Sequence, residues 1–244
     1  MMTLREAANI LDPSSSPILA SNLAKKVGLN FPVSIRQLIE IVSTNFIDPD
    51  KVRMNIVAAT KSFNATFGCD NGCTERNTGQ NLNESQVNSF FTNSPPWRVD
   101  CLGAARIIMA KGLVQTLKSG EFDKLGYSTS KMNLELKPVA NADQMMNGEW
   151  CYFKNDAKYL TKHPGGGYQG ENVIKVSDDK YFGFPIGVNT ASGWIQELIN
   201  AYNSGLPVSE QIHSIPGFLG DINQFFNTVK ISQDVIKLRR GLHP

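Results

Sequence analysis

The hydrophobic pattern changes character part-way along the chain, and that change limits the fold more than any other feature. Up to about Lys118 the apolar residues recur at helical spacing. Ile35, Leu38, Ile39 and Val42 mark one helix, with Ser34 as its N-cap. Asp48-Pro49-Asp50 has the acidic, proline-bearing character of a first turn and predicts a helix over 48–63, with Met54, Val57 and Ala58 as its buried stripe. Residues 64–96 read as a polar loop with one short helix near 84–91. A strongly helical run follows over 101–118 and is stopped at Ser119-Gly120. Beyond it come strand-like segments at 132–136, 150–154, 172–176 and 180–184, with Ser177-Asp178-Asp179 turning a hairpin between the last two. A helix over 191–202 is followed by an irregular stretch and a closing helix near 233–239. Helices first and strands later predict an α+β fold: an N-terminal extension over 1–30, then one domain over 31–244.

Composition narrows the function classes. With 244 residues, 41% hydrophobic, the chain can bury a sizeable core without disulfide or metal staples. A formal net charge of +2 gives no electrostatic reason to expect nucleic acid or an anionic membrane as partner. No stretch approaches the ~20 apolar residues that cross a bilayer. The first residues carry Glu6 and Asp12 and lack a long apolar run, so the expected location is cytoplasmic, with export by a signal-less route left open. Cys69, Cys73, Cys101 and Cys151 are too few for a disulfide scaffold. Cys69 and Cys73, in a CDNGC loop, read as surface thiols or a local redox-labile bridge. A zinc site would need further ligands nearby, and His163, His213 and His243 all lie far along the chain. No metal or organic cofactor is expected.

Two local features carry chemistry. Trp97-Arg98-Val99-Asp100-Cys101 places a cysteine at the start of a helix, where the positive end of the helix dipole is expected to lower the thiol pKa. The unpaired N–H groups there suit an oxyanion formed when the thiolate attacks a carbonyl. Gly170-Glu171-Asn172-Val173-Ile174 places a carboxylate at the mouth of a strand after a glycine-rich turn. Asp100 reads equally as a helix N-cap and as a second acid of the site. His163, in a Gly-rich turn, reads as an exposed loop residue, and Trp150 and Trp194 read as core.

Taken together, these segments resemble the bacterial spore-coat type of protein-glutamine gamma-glutamyltransferase. Arg53-Met54-Asn55-Ile56-Val57-Ala58-Ala59 is similar to that family's central helical motif, and Trp97 to Cys101 to its nucleophile helix. The longest match runs through Cys151-Tyr152-Phe153-Lys154-Asn155, Gly170 to Ile174, Asp179 to Phe182, and Gly187. The resemblance implies an NlpC/P60-like, papain-like core, with the cysteine-bearing helix packed on an antiparallel sheet and extra N-terminal helices. It implies Cys101 as nucleophile, Glu171 as base and Asp100 in the place of the family's neighbouring acid. Trp97, Tyr168 and Asn172 are expected to meet substrate. The implied reaction joins protein glutamine and lysine side chains by an isopeptide bond, in a monomer, with spore association as a further implication. A glutamine deamidase or related cysteine amidase is the alternative, and a non-catalytic coat protein a third reading. The chain departs from the family in having Tyr168 where a tryptophan is usual and Gly183-Phe184-Pro185 where a histidine is frequent. The loop over 69–93 and the insert over 161–167 have no counterpart in it.

Overall fold

The computed structural model describes residues 47–67, 82–92, 98–126, 136–139, 145–220, 234–235 and 238–239. The expected helix at Ser34–Val42, most of the strand over 132–136, Cys69, Cys73, Trp97 and part of the closing helix lie outside these residues. The chain groups into two compact units, Asp50–Phe225 and Met1–Pro49 with Phe226–Pro244. No helix among the described residues is long and apolar enough to cross a membrane.

Helix α1 spans Pro49–Thr60. It buries Val52, Ile56, Ala59 and Thr60, whereas Met54, predicted as core, is 70% exposed, with Ala58 exposed and Val57 half-buried. The predicted stripe is off by part of a turn, and the reason lies in the partner helix. Gly112 has no side chain, and a Cβ there would stand 2.3 Å from Ile56 Cγ1. The Ile56 face therefore closes on that glycine, a choice that apolar spacing within α1 does not reveal.

Strand β1 (Thr66–Phe67) pairs in parallel with β2 (Arg98–Val99), on either side of the short helix α2 (Glu84–Ser89), which Asn83 and Gln86 close in a capping box. Helix α3 runs Cys101–Val114 and is buried along most of its length. It ends a turn before Lys118 because the backbone tightens, Thr116 N–H bonding the Leu113 carbonyl. Helix α4 (Glu121–Leu125) follows a left-handed Gly120 at φ 74° and was not foreseen from the sequence.

Among the described residues, strands β3 (Lys137–Pro138), β4 (Trp150–Lys154), β5 (Gly170–Ser177), β6 (Lys180–Gly183), β7 (Gly187–Asn189) and β8 (Gly217–Gly220) form one antiparallel sheet in the order β3-β8-β4-β5-β6-β7. The hairpin turn falls between Ser177 and Lys180, where sequence placed it. Strand β8 corrects the irregular stretch expected after the helix over 191–202, and it lies between β3 and β4 rather than at an edge.

Short helix α5 (Tyr159–Lys162) precedes β5, and helix α6 (Ala191–Asn203) starts at Thr190, whose Oγ1 accepts the Gly193 N–H at 3.0 Å. Cys151, Phe153, Val173 and Tyr181 of the sheet cluster with Trp194 and Leu198 of α6. Asn172, which alternates with Val173 along β5, reaches Cys101 on α3 instead. The sheet is thus covered by α6 on one face and α3 on the other.

Candidate active site

Cys101 is the first residue of α3, and Asp100 caps the helix by accepting the Gly103 N–H at 2.6 Å on its Oδ1. The Asp100 carbonyl accepts the Ala104 N–H. Asp100 is therefore the N-cap, one of its two expected roles, while its charge also acts on the groups around the thiol. Arg106, on the same helix, faces that charge electrostatically and keeps a buried Nε without a hydrogen-bond partner.

Strand β5 brings the second half of the site. Glu171 is only 6% exposed, and its Oε1 is buried with no hydrogen-bond partner. Burial first, and the Asp100 charge second, push its carboxyl up from 4.5 to about 8. The thiol responds to the same surroundings. Burial raises the Cys101 pKa to about 11, with the Glu171 and Asp100 charges adding to the rise and hydrogen bonds from Asn172 opposing it. Burial next to two carboxylates thus outweighs the helix start, and the lowered thiol pKa expected from sequence is corrected. The Glu171 carboxyl is shifted toward neutrality.

Asn172 donates its Nδ2–H to Cys101 Sγ at 3.4 Å and accepts the Trp150 Nε1–H on Oδ1 at 3.1 Å. Strand pairing sets Tyr152 opposite Asn172, and the charges of Cys101 and Glu171, after burial, raise the Tyr152 phenol pKa. Gly170 makes room for that ring: a Cβ there would stand 2.2 Å from the Tyr152 Cζ and Oη. Tyr152 was missed as a neighbour of the site, and Trp150, read as core and buried as expected, also bonds Asn172. Their signal was present in the period-two alternation of β4, which puts both on the face shared with Asn172.

Tyr168 is 43% exposed, and its carbonyl accepts the Asn155 Nδ2–H at 2.9 Å, so its backbone is anchored while its ring stays open to solvent. Asn155, 1% exposed, also donates to the Leu198 carbonyl, tying the approach to β5 onto α6. Asn172 bonds Cys101, Asp100 precedes it as the cap of α3, and the Glu171 charge acts on the thiol; Tyr168 has no hydrogen bond to this group, and Trp97 is outside the described residues. His163 is half-buried rather than exposed, its Nε2 lying 2.6 Å from the Tyr202 carbonyl and its ring tilted against Tyr159. Cys151 is fully buried in the core, its Sγ 3.7 Å from the Glu149 carbonyl.

The pattern described as protein-glutamine gamma-glutamyltransferase matches residues 51–213, more than half of the 244-residue chain. The chain belongs to this family. Among relatives in the family, a protein-glutamine gamma-glutamyltransferase of Bacillus pumilus is 24% identical over 117 residues, 46% of this chain and 46% of its own length. That of Halalkalibacterium halodurans is 27% identical over 173 residues, 62% of this chain and 59% of the relative. The chain therefore spans about half the length of the curated relatives it matches. A transglutaminase from Geobacillus stearothermophilus, solved without its C-terminal extension, superposes with a TM-score of 0.56. It is 22% identical and covers 75% of this chain and 93% of its own, a likeness of fold.

Proposed function

We propose that the chain is a protein-glutamine gamma-glutamyltransferase that crosslinks glutamine to lysine through a cysteine thioester. The observation that carries this reading is the pairing of a helix-start thiol, Cys101, with a buried carboxyl, Glu171, whose Oε1 has no partner and whose pKa is pushed up to about 8. A carboxyl in that state serves as a proton carrier near neutral pH. Family membership sets the expected substrate class. The cysteine-bearing helix lying against β5 also fits an NlpC/P60-like core.

Glu171 takes the Sγ–H proton as sulfur attacks the glutamine carboxamide carbon. Asp100 already occupies the Gly103 and Ala104 N–H groups, which leaves those of Cys101 and Leu102 for the oxyanion. Protonated Glu171 returns its proton to the departing ammonia, and the acyl group remains on sulfur as a thioester. A lysine ε-amine then attacks. Glu171 accepts its proton, and the thiolate leaves and is reprotonated. The product is an isopeptide bond; with water in place of lysine it is glutamate. Tyr168, exposed beside the start of β5, and Trp97, four residues before the nucleophile, are assigned to substrate contact.

Casein incubated with a fluorescent primary amine tests the assignment. Labelled bands are expected from the wild type, His163→Ala and Cys151→Ser, and none from Cys101→Ser. Ammonia release without labelling would identify a deamidase instead. Labelling by Cys101→Ser, or its loss in His163→Ala alone, would sink the Cys–Glu assignment.

A further inference from the structure

We infer that Trp150 is a positioning residue for the nucleophile: its indole N–H locks the Asn172 amide so that the NH2 end faces the Cys101 sulfur. The inference rests on Cys101 being the nucleophile.

An asparagine amide is a donor at one end and an acceptor at the other, and its orientation follows from its partners. An indole Nε1–H can only donate. The Trp150 Nε1–Asn172 Oδ1 contact of 3.1 Å therefore assigns the oxygen to the indole side, and Nδ2 is left to meet Sγ at 3.4 Å. Strand register makes this reach possible. Trp150 pairs with Ile174 and Tyr152 with Asn172, so Trp150 and Asn172 are diagonal neighbours on one sheet face, a separation that a long aromatic side chain spans. Trp150 is 1% exposed, so its indole N–H is shielded from solvent where it meets the amide oxygen.

The direction of the amide matters because of what else surrounds the sulfur. Glu171 from β5 and Asp100 from the cap of α3 both oppose a negative sulfur, as does burial. Tyr152 from β4 is within reach of both Cys101 and Glu171, and Arg106 of α3 faces Asp100. Against these, hydrogen bonds from the Asn172 side chain and backbone favour the thiolate. With the amide turned over, an oxygen would face the sulfur and one of these two favourable contacts would become a repulsion. Trp150 prevents that turn by holding the amide oxygen.

The test is the pH dependence of iodoacetamide alkylation at Cys101, followed by peptide mass spectrometry to separate it from the other three cysteines. Trp150→Phe keeps an aromatic ring and removes only the donor. Its alkylation midpoint is expected to rise by about one pH unit, with the rate at neutral pH down about tenfold. Asn172→Leu is expected to do the same, and the double variant no more than Asn172→Leu alone. A Trp150→Phe protein with the wild-type midpoint would overturn the inference. Should Trp150→Phe fail to fold, the ¹⁵N-indole resonance of Trp150 decides in a variant that retains it. That resonance is expected to move upfield in Asn172→Leu, and an unmoved resonance likewise overturns the proposal. Amine incorporation is assayed separately. Its absence from a wild type whose thiol responds as described would remove the transferase reading and leave the Trp150–Asn172–Cys101 relay standing.

Discussion

At the scale of single residues, the proposed reaction depends on a buried carboxyl, Glu171, and a half-buried thiol, Cys101, on which the Glu171 charge acts. Because the Glu171 carboxyl is held near 8, its basic form appears only as pH approaches that value. The pH profile of kcat/KM for amine incorporation should therefore rise along an acid limb with an apparent pKa near 8. Asp100→Asn separates the two parts Asp100 plays. Asparagine caps a helix as well as aspartate, so α3 should stay intact, while loss of the charge should move the limb to lower pH. A limb that stays in place in Asp100→Asn would mean that the Asp100 charge does not reach Glu171. The same shift predicts a stability effect with a definite sign. The folded protein keeps a proton on Glu171 that the unfolded chain releases above about 4.5, so this stabilisation is complete below that pH and is lost as pH rises through about 8. Glu171→Gln removes the loss. Denaturant titrations at pH 5 and pH 8 should show the variant gaining on the order of 1–3 kcal/mol over wild type between the two. An identical pH dependence in both proteins would contradict it.

Between elements, the contact that orders the helical layer is Gly112 on α3 against Ile56 on α1. An alanine Cβ would stand 2.3 Å from Ile56 Cγ1, 3.1 Å from the Ile56 backbone nitrogen and 3.2 Å from the Val52 carbonyl oxygen. Two of those atoms are backbone, so the helices must separate. Gly112→Ala should therefore destabilise the protein by about 1–3 kcal/mol in urea unfolding, despite alanine's better helix propensity. A neutral or stabilising result would show that α1 and α3 adjust freely. This contact also explains a failure of sequence reading. Val52, Ile56, Ala59 and Met54, Val57, Ala58 are both acceptable helical stripes, and only the glycine on the other helix selects the first. Strands β4 to β6 were legible because alternation and a two-residue turn are local properties. Strand β8 was not, since Gly217-Phe218-Leu219-Gly220 is four residues with two glycines, and its partners are more than sixty residues away in β4.

For the whole unit, β8 is the piece whose removal should matter most relative to its length. It bonds both β3 and β4, and Phe218 packs on Phe153 with ring centroids 4.9 Å apart. The family match ends at residue 213, before this strand. A chain truncated after Ser214 should lose its cooperative thermal transition or aggregate, because β4, next to the strand that carries Glu171, would become an open edge. A truncated protein that melts like the wild type would show the sheet to be complete without β8.

The chemical inventory is legible in the chain alone: a cysteine opening a helix, an acid before it, and a carboxylate opening a strand. Each depends on neighbours within a few residues, and a run of such segments in family order points to the same chemistry. Tertiary structure alone decided how those groups behave. The thiol pKa rises rather than falls, Asn172 faces sulfur, Trp150 joins the site and His163 turns to Tyr202. These outcomes are set by burial and by charges and hydrogen-bond partners drawn from α3, β4, β5 and α6, and spacing along one segment carries no information about what folds against it.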